Sequence, residues 1–266
     1  MKKIIFLLII LLAIVLNQKS EAQVITGQEA LAKRDSVKAD LSKAQSLAIQ
    51  GNIEEASKIY TKLMESEPDN REVVQGWLIA NMERTPTGEE DAIKQLEELG
   101  RLYPKNTGII FFKAFLETEW GHEEEALKDI DKLIKIQPDT ALNFILKGQT
   151  LYAMEKYEEA FISFDKATSL DPKRPDVWGM KAGALAKTGK FDDAIVAINK
   201  GLELAPNDPT NFYNRACIYC LKGDKVNALS DLKKAISMNP SFKEQARKDE
   251  DFKSLYDDED FKKLTL

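Results

Sequence analysis

Cys217 and Cys220 stand three residues apart, the spacing of a redox dithiol. Such a pair works only when one thiol is readily ionised, as at a helix N-terminus or beside a cation. Pro209 fits the first position of a helix here, so the cysteines fall two turns further on, where the helix dipole gives no help. Three readings stay open. One is a redox pair. A second is a local disulfide, because residues three apart on a helix lie ~5 Å apart at Cα, within disulfide reach. The third is two small apolar side chains on a helix face, and it is preferred because it needs no activated thiol.

His122 is the single histidine and is followed by Glu123, Glu124 and Glu125. Consecutive helical residues point in different directions, so these four do not converge on one ion. They read better as an acidic first turn that complements the helix dipole. Two cysteines are too few for a four-thiolate zinc site. No phosphate-cradling glycine loop, nucleophile elbow or paired-histidine zinc motif occurs. We therefore expect no catalytic residue, no cofactor and no metal site, and do not read the protein as an enzyme. With 38 Lys and Arg against 44 Asp and Glu, the net charge is −6. The general attraction to phosphate that supports nucleic-acid binding is absent, so no nucleic-acid partner is expected.

Lys2 and Lys3 precede an unbroken apolar run, Ile4 to Leu16, and then a polar stretch ending in Ser20-Glu21-Ala22. This is the pattern of a secretory signal peptide over residues 1–22, with cleavage expected between Ala22 and Gln23. An uncleaved anchor is the alternative, but the run is shorter than the ~20 residues a membrane-spanning helix needs. The form looks bacterial. It implies export to the periplasm or cell surface, without stable membrane insertion after cleavage.

The elements that would position any site are helical hairpins. Thr26 and Glu29 have capping-box spacing, so a helix is expected from near Gly27 to about Gln50, broken by Gly51. A second runs from Asn52 to about Ser66 and stops at Pro68. The plan then recurs. Prolines stand at 68, 104, 138, 172, 206 and 240, and each has an alanine twelve residues earlier, at 56, 92, 126, 160, 194 and 228. The stretch 175–208 is the clearest copy, with Trp178, Ala182 and Leu185 on one helical face and Phe191, Ala194, Ile198 and Leu202 on the next. One interval is 36 residues and the rest 34; the extra length fits near Thr85-Pro86-Thr87-Gly88, where Thr87 and Glu90 would cap the next helix.

This period, with a small residue early in the second helix and proline at its end, resembles the tetratricopeptide repeat family. The resemblance implies an all-α fold, a right-handed superhelical solenoid of six hairpins: 37–70, 71–106, 107–140, 141–174, 175–208 and 209–242. The array would occupy 23–242, with capping helices over 243–266. Small residues at the eighth position (Ala44, Ala114, Gly148, Ala182, Ala216) and the twentieth (the alanines above) would let paired helices approach closely. Tyr60, Leu96, Ile130, Phe164, Ile198 and Leu232 would fill the core between them. Ser241 and Glu244 have capping-box spacing for the tail, whose apolar residues would cover the last repeat.

In that family the inner surface is lined by first helices. Carried over, this implies a groove containing Phe111, Phe112, Phe115, Ile145, Gln149, Tyr152, Met180, Tyr213 and Asn214. Its aromatic and apolar lining suits a protein or peptide segment. The Lys/Asn/Arg clamp by which some members hold acidic chaperone tails is missing, since Leu41, Gln45, Ile145 and Gly183 occupy those positions. The expected function is a non-catalytic interaction scaffold of the bacterial envelope. The alternatives are a structural subunit using its convex face or ends, and a thiol-redox protein acting through Cys217 and Cys220.

Overall fold

The computed structural model describes residues 28–82 and 89–266. The signal segment, the Ala22–Gln23 bond, Thr26 and the added length at 85–88 with its Thr87 cap lie outside those residues. The described elements are all helical: α1 (Gln28–Ile49), α2 (Ile53–Ser66), α3 (Arg71–Met82), α4 (Glu89–Leu102), α5 (Thr107–Glu119), α6 (Glu123–Ile136), α7 (Ala141–Ala153), α8 (Tyr157–Leu170), α9 (Pro175–Lys187), α10 (Phe191–Leu204), α11 (Pro209–Lys222) and α12 (Lys225–Met238). The tail follows as α13 (Phe242–Ala246), a 3-10 turn over Glu250–Leu255 and α14 (Glu259–Thr265). No described helix is long and apolar enough to cross a membrane. The chain divides between Ile136 and Gln137 into two compact units.

In the first unit α1 packs on α2, α2 on α3, and α5 on α3, α4 and α6. In the second, α7 packs on α8, α8 on α9, α9 on α10, and α11 on α9, α10 and α12. The repeat positions do what their spacing predicts. All six alanines of the second helices are at most 5% exposed, and the six bulky residues four positions later at most 1%. Ala44, Ala114, Ala182 and Ala216 are fully buried. At Gly148 a Cβ would stand 2.6 Å from the Phe164 ring, so only glycine admits that ring. Each of α2, α4, α6, α8, α10 and α12 ends two residues before its proline, because the residue before a proline avoids helical geometry.

Among the described residues, five hairpin turns each place one residue in the left-handed region. Gly51, Gly121, Gly189 and Gly223 take it with φ between 78° and 86°, and Glu155 takes it with φ 59°. A side chain there costs roughly 1–2 kcal/mol. Glu155→Gly is therefore expected to stabilise the protein by about 1 kcal/mol, and Gly189→Ala to destabilise it by a similar amount. Nothing lies within 4 Å of a Cβ at Gly189, so the second effect is one of backbone alone. Urea unfolding of both variants checks the pair.

Charged pairs tie helices together sixteen residues apart. Lys113 on α5 meets Asp129 on α6 at 2.8 Å, and Arg215 on α11 holds Asp231 on α12 through two bonds of 2.6 and 2.9 Å. Lys181 on α9 reaches backwards to Asp165 on α8 at 2.6 Å, and Arg215 also donates to Asn199 on α10. The sequence reading did not find these pairs.

The Ser241 hydroxyl donates to Asn239 and makes no cap bond to α13, so the expected capping box does not form. Phe242, Ala246, Phe252, Leu255 and Phe261 are buried in one cluster with α11 and α12, and Tyr213 stacks on Phe242. Lys225, at the start of α12, pairs with Asp258 of the tail.

Candidate functional site

The predicted groove residues fall in both units. In the first, Phe111 and Phe112 are interior residues, at 3% and 1% exposure. Their rings meet edge to face at 5.4 Å. The Arg71 guanidinium lies 4.2 Å over Phe111, and burial pulls its pKa down to about 10. This corrects the expectation that the two rings line an open surface. The cause is α5 itself, whose apolar residues run almost all round the helix, and such a helix is buried on most of its faces. Phe115 alone of the three is half-buried.

Beside it, Lys113 bridges Glu117 and Asp129, each at 2.8 Å. Burial raises the Glu117 carboxyl although Lys113 opposes it. Burial would raise Asp129 too, but the bonds from Lys113 and Lys132 outweigh it and hold that carboxyl below its ordinary value. The two act on stability with opposite sign. A raised folded pKa stabilises at low pH and is lost as pH rises through it; a depressed one stabilises at high pH and is lost as pH falls through it. Stability should rise as pH drops from 7 toward the ordinary glutamate value of 4.5, then decline below the aspartate value of 3.8. Urea midpoints at pH 7, 5 and 3 test this, and Glu117→Gln should remove the rise while keeping the decline.

In the second unit the first helices α7, α9 and α11 do form a concave surface. They line a cleft of about 580 Å³ together with residues of the tail. Of the predicted residues, Gln149, Tyr152, Met180 and Asn214 are half-buried and face it. Gly183 has nothing within 4 Å of a Cβ, so the cleft is open at that point. Ile145 is corrected to an interior residue at 2% exposure and does not line the cleft. Tyr213 lines it, but with its ring buried and its hydroxyl donating to Asp249 at 2.7 Å.

That bond belongs to a feature missing from the sequence reading. Residues 249–254 cross the inner face of α11 and wall one side of the cleft. Lys187 on α9 holds Asp251 at 2.5 Å, the Cys217 thiol donates to Asp249 at 3.9 Å, and Cys220 Sγ lies 3.3 Å from Ser254 Oγ. The only local signal was an acidic run, Asp249-Glu250-Asp251, next to Phe252. Its capping role, with the Asp249 side chain accepting from the Asp251 N–H, is legible from sequence. Which helix it would face is not.

Both cysteines are free, and they point to different partners. Burial pushes the Cys217 thiol well up, with Asp249 and Asp251 adding to the effect, and burial also raises Cys220. Neither is an ionised nucleophile at neutral pH. The ligand atoms of Cys217, Asp249 and Asp251 lie within 4.8 Å of one another. A positive charge already stands there, in the Lys187 ammonium. His122, in the first unit, is exposed.

Residues 151–213 match a family model described as tetratricopeptide repeat, and residues 209–242 match a second with the same description. No curated protein matches the chain. Several solved structures share its fold. The pilF protein of Pseudomonas aeruginosa is 15% identical with a TM-score of 0.59, over 84% of this chain and 98% of that one. A tetratricopeptide repeat protein from Parabacteroides merdae is 19% identical with a TM-score of 0.53, over 86% and 84%. YrrB, described as a TPR protein with an unusual peptide-binding site, is 19% identical with a TM-score of 0.53, over 71% and 97%. At these identities the likeness is one of fold. The two sequence matches mark tetratricopeptide repeats within residues 151–242.

Proposed function

We propose that the chain is a non-catalytic interaction scaffold that holds a segment of a protein partner in the first-helix cleft of its second unit. The observation that carries this reading is the cleft itself, an open concavity floored by Tyr152 and Met180 with free space at Gly183. Apolar concave surfaces with a few polar groups are where extended or helical segments dock. The peptide-binding site named for YrrB fits the same reading. The basic, apolar and small-residue pattern of residues 1–22 supports a reading in which the scaffold acts in the periplasm or on the cell surface of a bacterium.

Gly183→Trp tests it. The indole fills the cleft, and the helix gains a better former than glycine. Cross-linking pull-down from the native envelope, read by mass spectrometry, should lose its main partner with this variant while helicity is unchanged. A partner captured equally by both forms would count against the cleft.

A second reading, assembly through the outer face, draws on Ile162 and Val196. They occupy the same position of successive repeats and are 63% and 71% exposed. Ile162→Glu with Val196→Glu should then abolish self-association in light scattering and leave cleft binding intact.

A further inference from the structure

We propose that the cleft of the second unit selects a basic segment, an extended peptide whose Lys or Arg side chains meet Asp208 and Asp249 while its apolar side chains lie on Tyr152 and Met180. This rests on the reading of the cleft as the partner site. The ionised side chains lining the cleft are Asp176, Asp208, Asp249, Asp251 and Lys187, four acids and one base, a balance of −3. Arg174 binds Asp176 through its Nε at 3.0 Å, which brings the balance to −2. Lys187 spends its charge on Asp251.

Asp208 and Asp249 remain. Asp208 accepts the Thr210 N–H as a helix cap. Asp249 accepts the Tyr213 hydroxyl, the Cys217 thiol and the Asp251 N–H. These donors are neutral, so they orient the carboxylates without cancelling their charge. The field is felt by the neighbours: after burial, Asp249 and Asp251 are the shared electrostatic cause that keeps protons on Tyr213, Cys217 and Cys220. An acidic segment would be repelled here, whereas a cation with an aliphatic stem gains both the charge and the apolar floor. The acidic wall is a fixed part of the cleft, because Phe252, beside Asp251, is fully buried.

The test uses the full chain and three fluorescently labelled eight-residue peptides, alternating Leu with Lys, Gln or Glu, read by anisotropy. The Lys peptide should bind about tenfold more tightly than the Gln peptide, and more weakly as salt rises. The Glu peptide should bind most weakly. Asp208→Asn and Asp249→Asn should each weaken the Lys peptide several-fold and leave the Gln peptide unchanged. Asparagine caps helices as well as aspartate does, so the fold is kept. Asp192→Asn, at an exposed carboxylate outside the cleft, should change nothing. Equal binding of the Lys and Gln peptides, both lost in Gly183→Trp, would overturn the charge selection and keep the cleft. Binding of no peptide, or Lys-peptide binding unaffected by Gly183→Trp, would overturn both.

Discussion

Phe252→Ala is expected to lower stability by about 3–5 kcal/mol, the range for deleting a fully buried aromatic ring. The ring is 0% exposed and meets both Tyr213, edge to face at 5.6 Å, and Phe261 at 5.7 Å. Its loss would leave a cavity bounded by α11 and by tail residues that have no other core to join. The same cluster predicts that removing residues 243–266 bares the apolar faces of α11 and α12 and causes self-association. Urea unfolding checks the point variant and light scattering the truncation. A truncated protein that remained monomeric and equally stable would mean that the tail is not part of the core.

Lys113→Ala is expected to cost about 3–5 kcal/mol, because it leaves the buried Glu117 carboxylate without its cation and Asp129 with only the more exposed Lys132. The Lys113, Glu117 and Asp129 side chains are 17%, 3% and 9% exposed, so water cannot take the cation's place. One oxygen of Glu117 already lacks a hydrogen-bond partner. Lys222→Ala serves as the contrast. It breaks a pair of similar length whose side chains are 40% and 87% exposed, where water screens the charges, and should cost far less. Chemical denaturation of the two variants measures the difference. Adding Glu117→Gln and Asp129→Asn to Lys113→Ala should recover part of the loss, since neutral amides are less costly to bury than unpaired charges.

The residues that make the hairpins were legible because they recur. A fixed period fixes which alanine shares a helix face with which bulky side chain, so Ala160 with Phe164, and Ala194 with Ile198, follow from spacing alone. The left-handed turn position was legible where glycine marks it and hidden at Glu155, where the backbone keeps its path without the residue that favours it. The cleft was legible in Gln149, Tyr152, Met180 and Asn214, which follow from register on the first helices. It failed at Phe111 and Phe112 because register says which way a side chain points and not what lies opposite. It failed again at the tail, which has no second copy to show where it belongs. Asp249 and Asp251 enter the cleft through tertiary packing around Phe252, and no local pattern encodes that placement.

The charged pairs sixteen residues apart bear on modularity. Lys113 with Asp129 lies within a single hairpin, so residues 107–136 would keep that pair if grafted into another array and lose only the longer Lys113 contact to Glu97, 3.7 Å away on α4. The hairpin 209–238 would keep Arg215 with Asp231, while Arg215 would lose its bond to Asn199. The hairpin 175–204 would arrive with Lys181 unmatched, because Asp165 stays behind on the preceding helix. These repeats share a shape but are not interchangeable parts, and a shuffled array would have to respect which of them brings its own counter-charge.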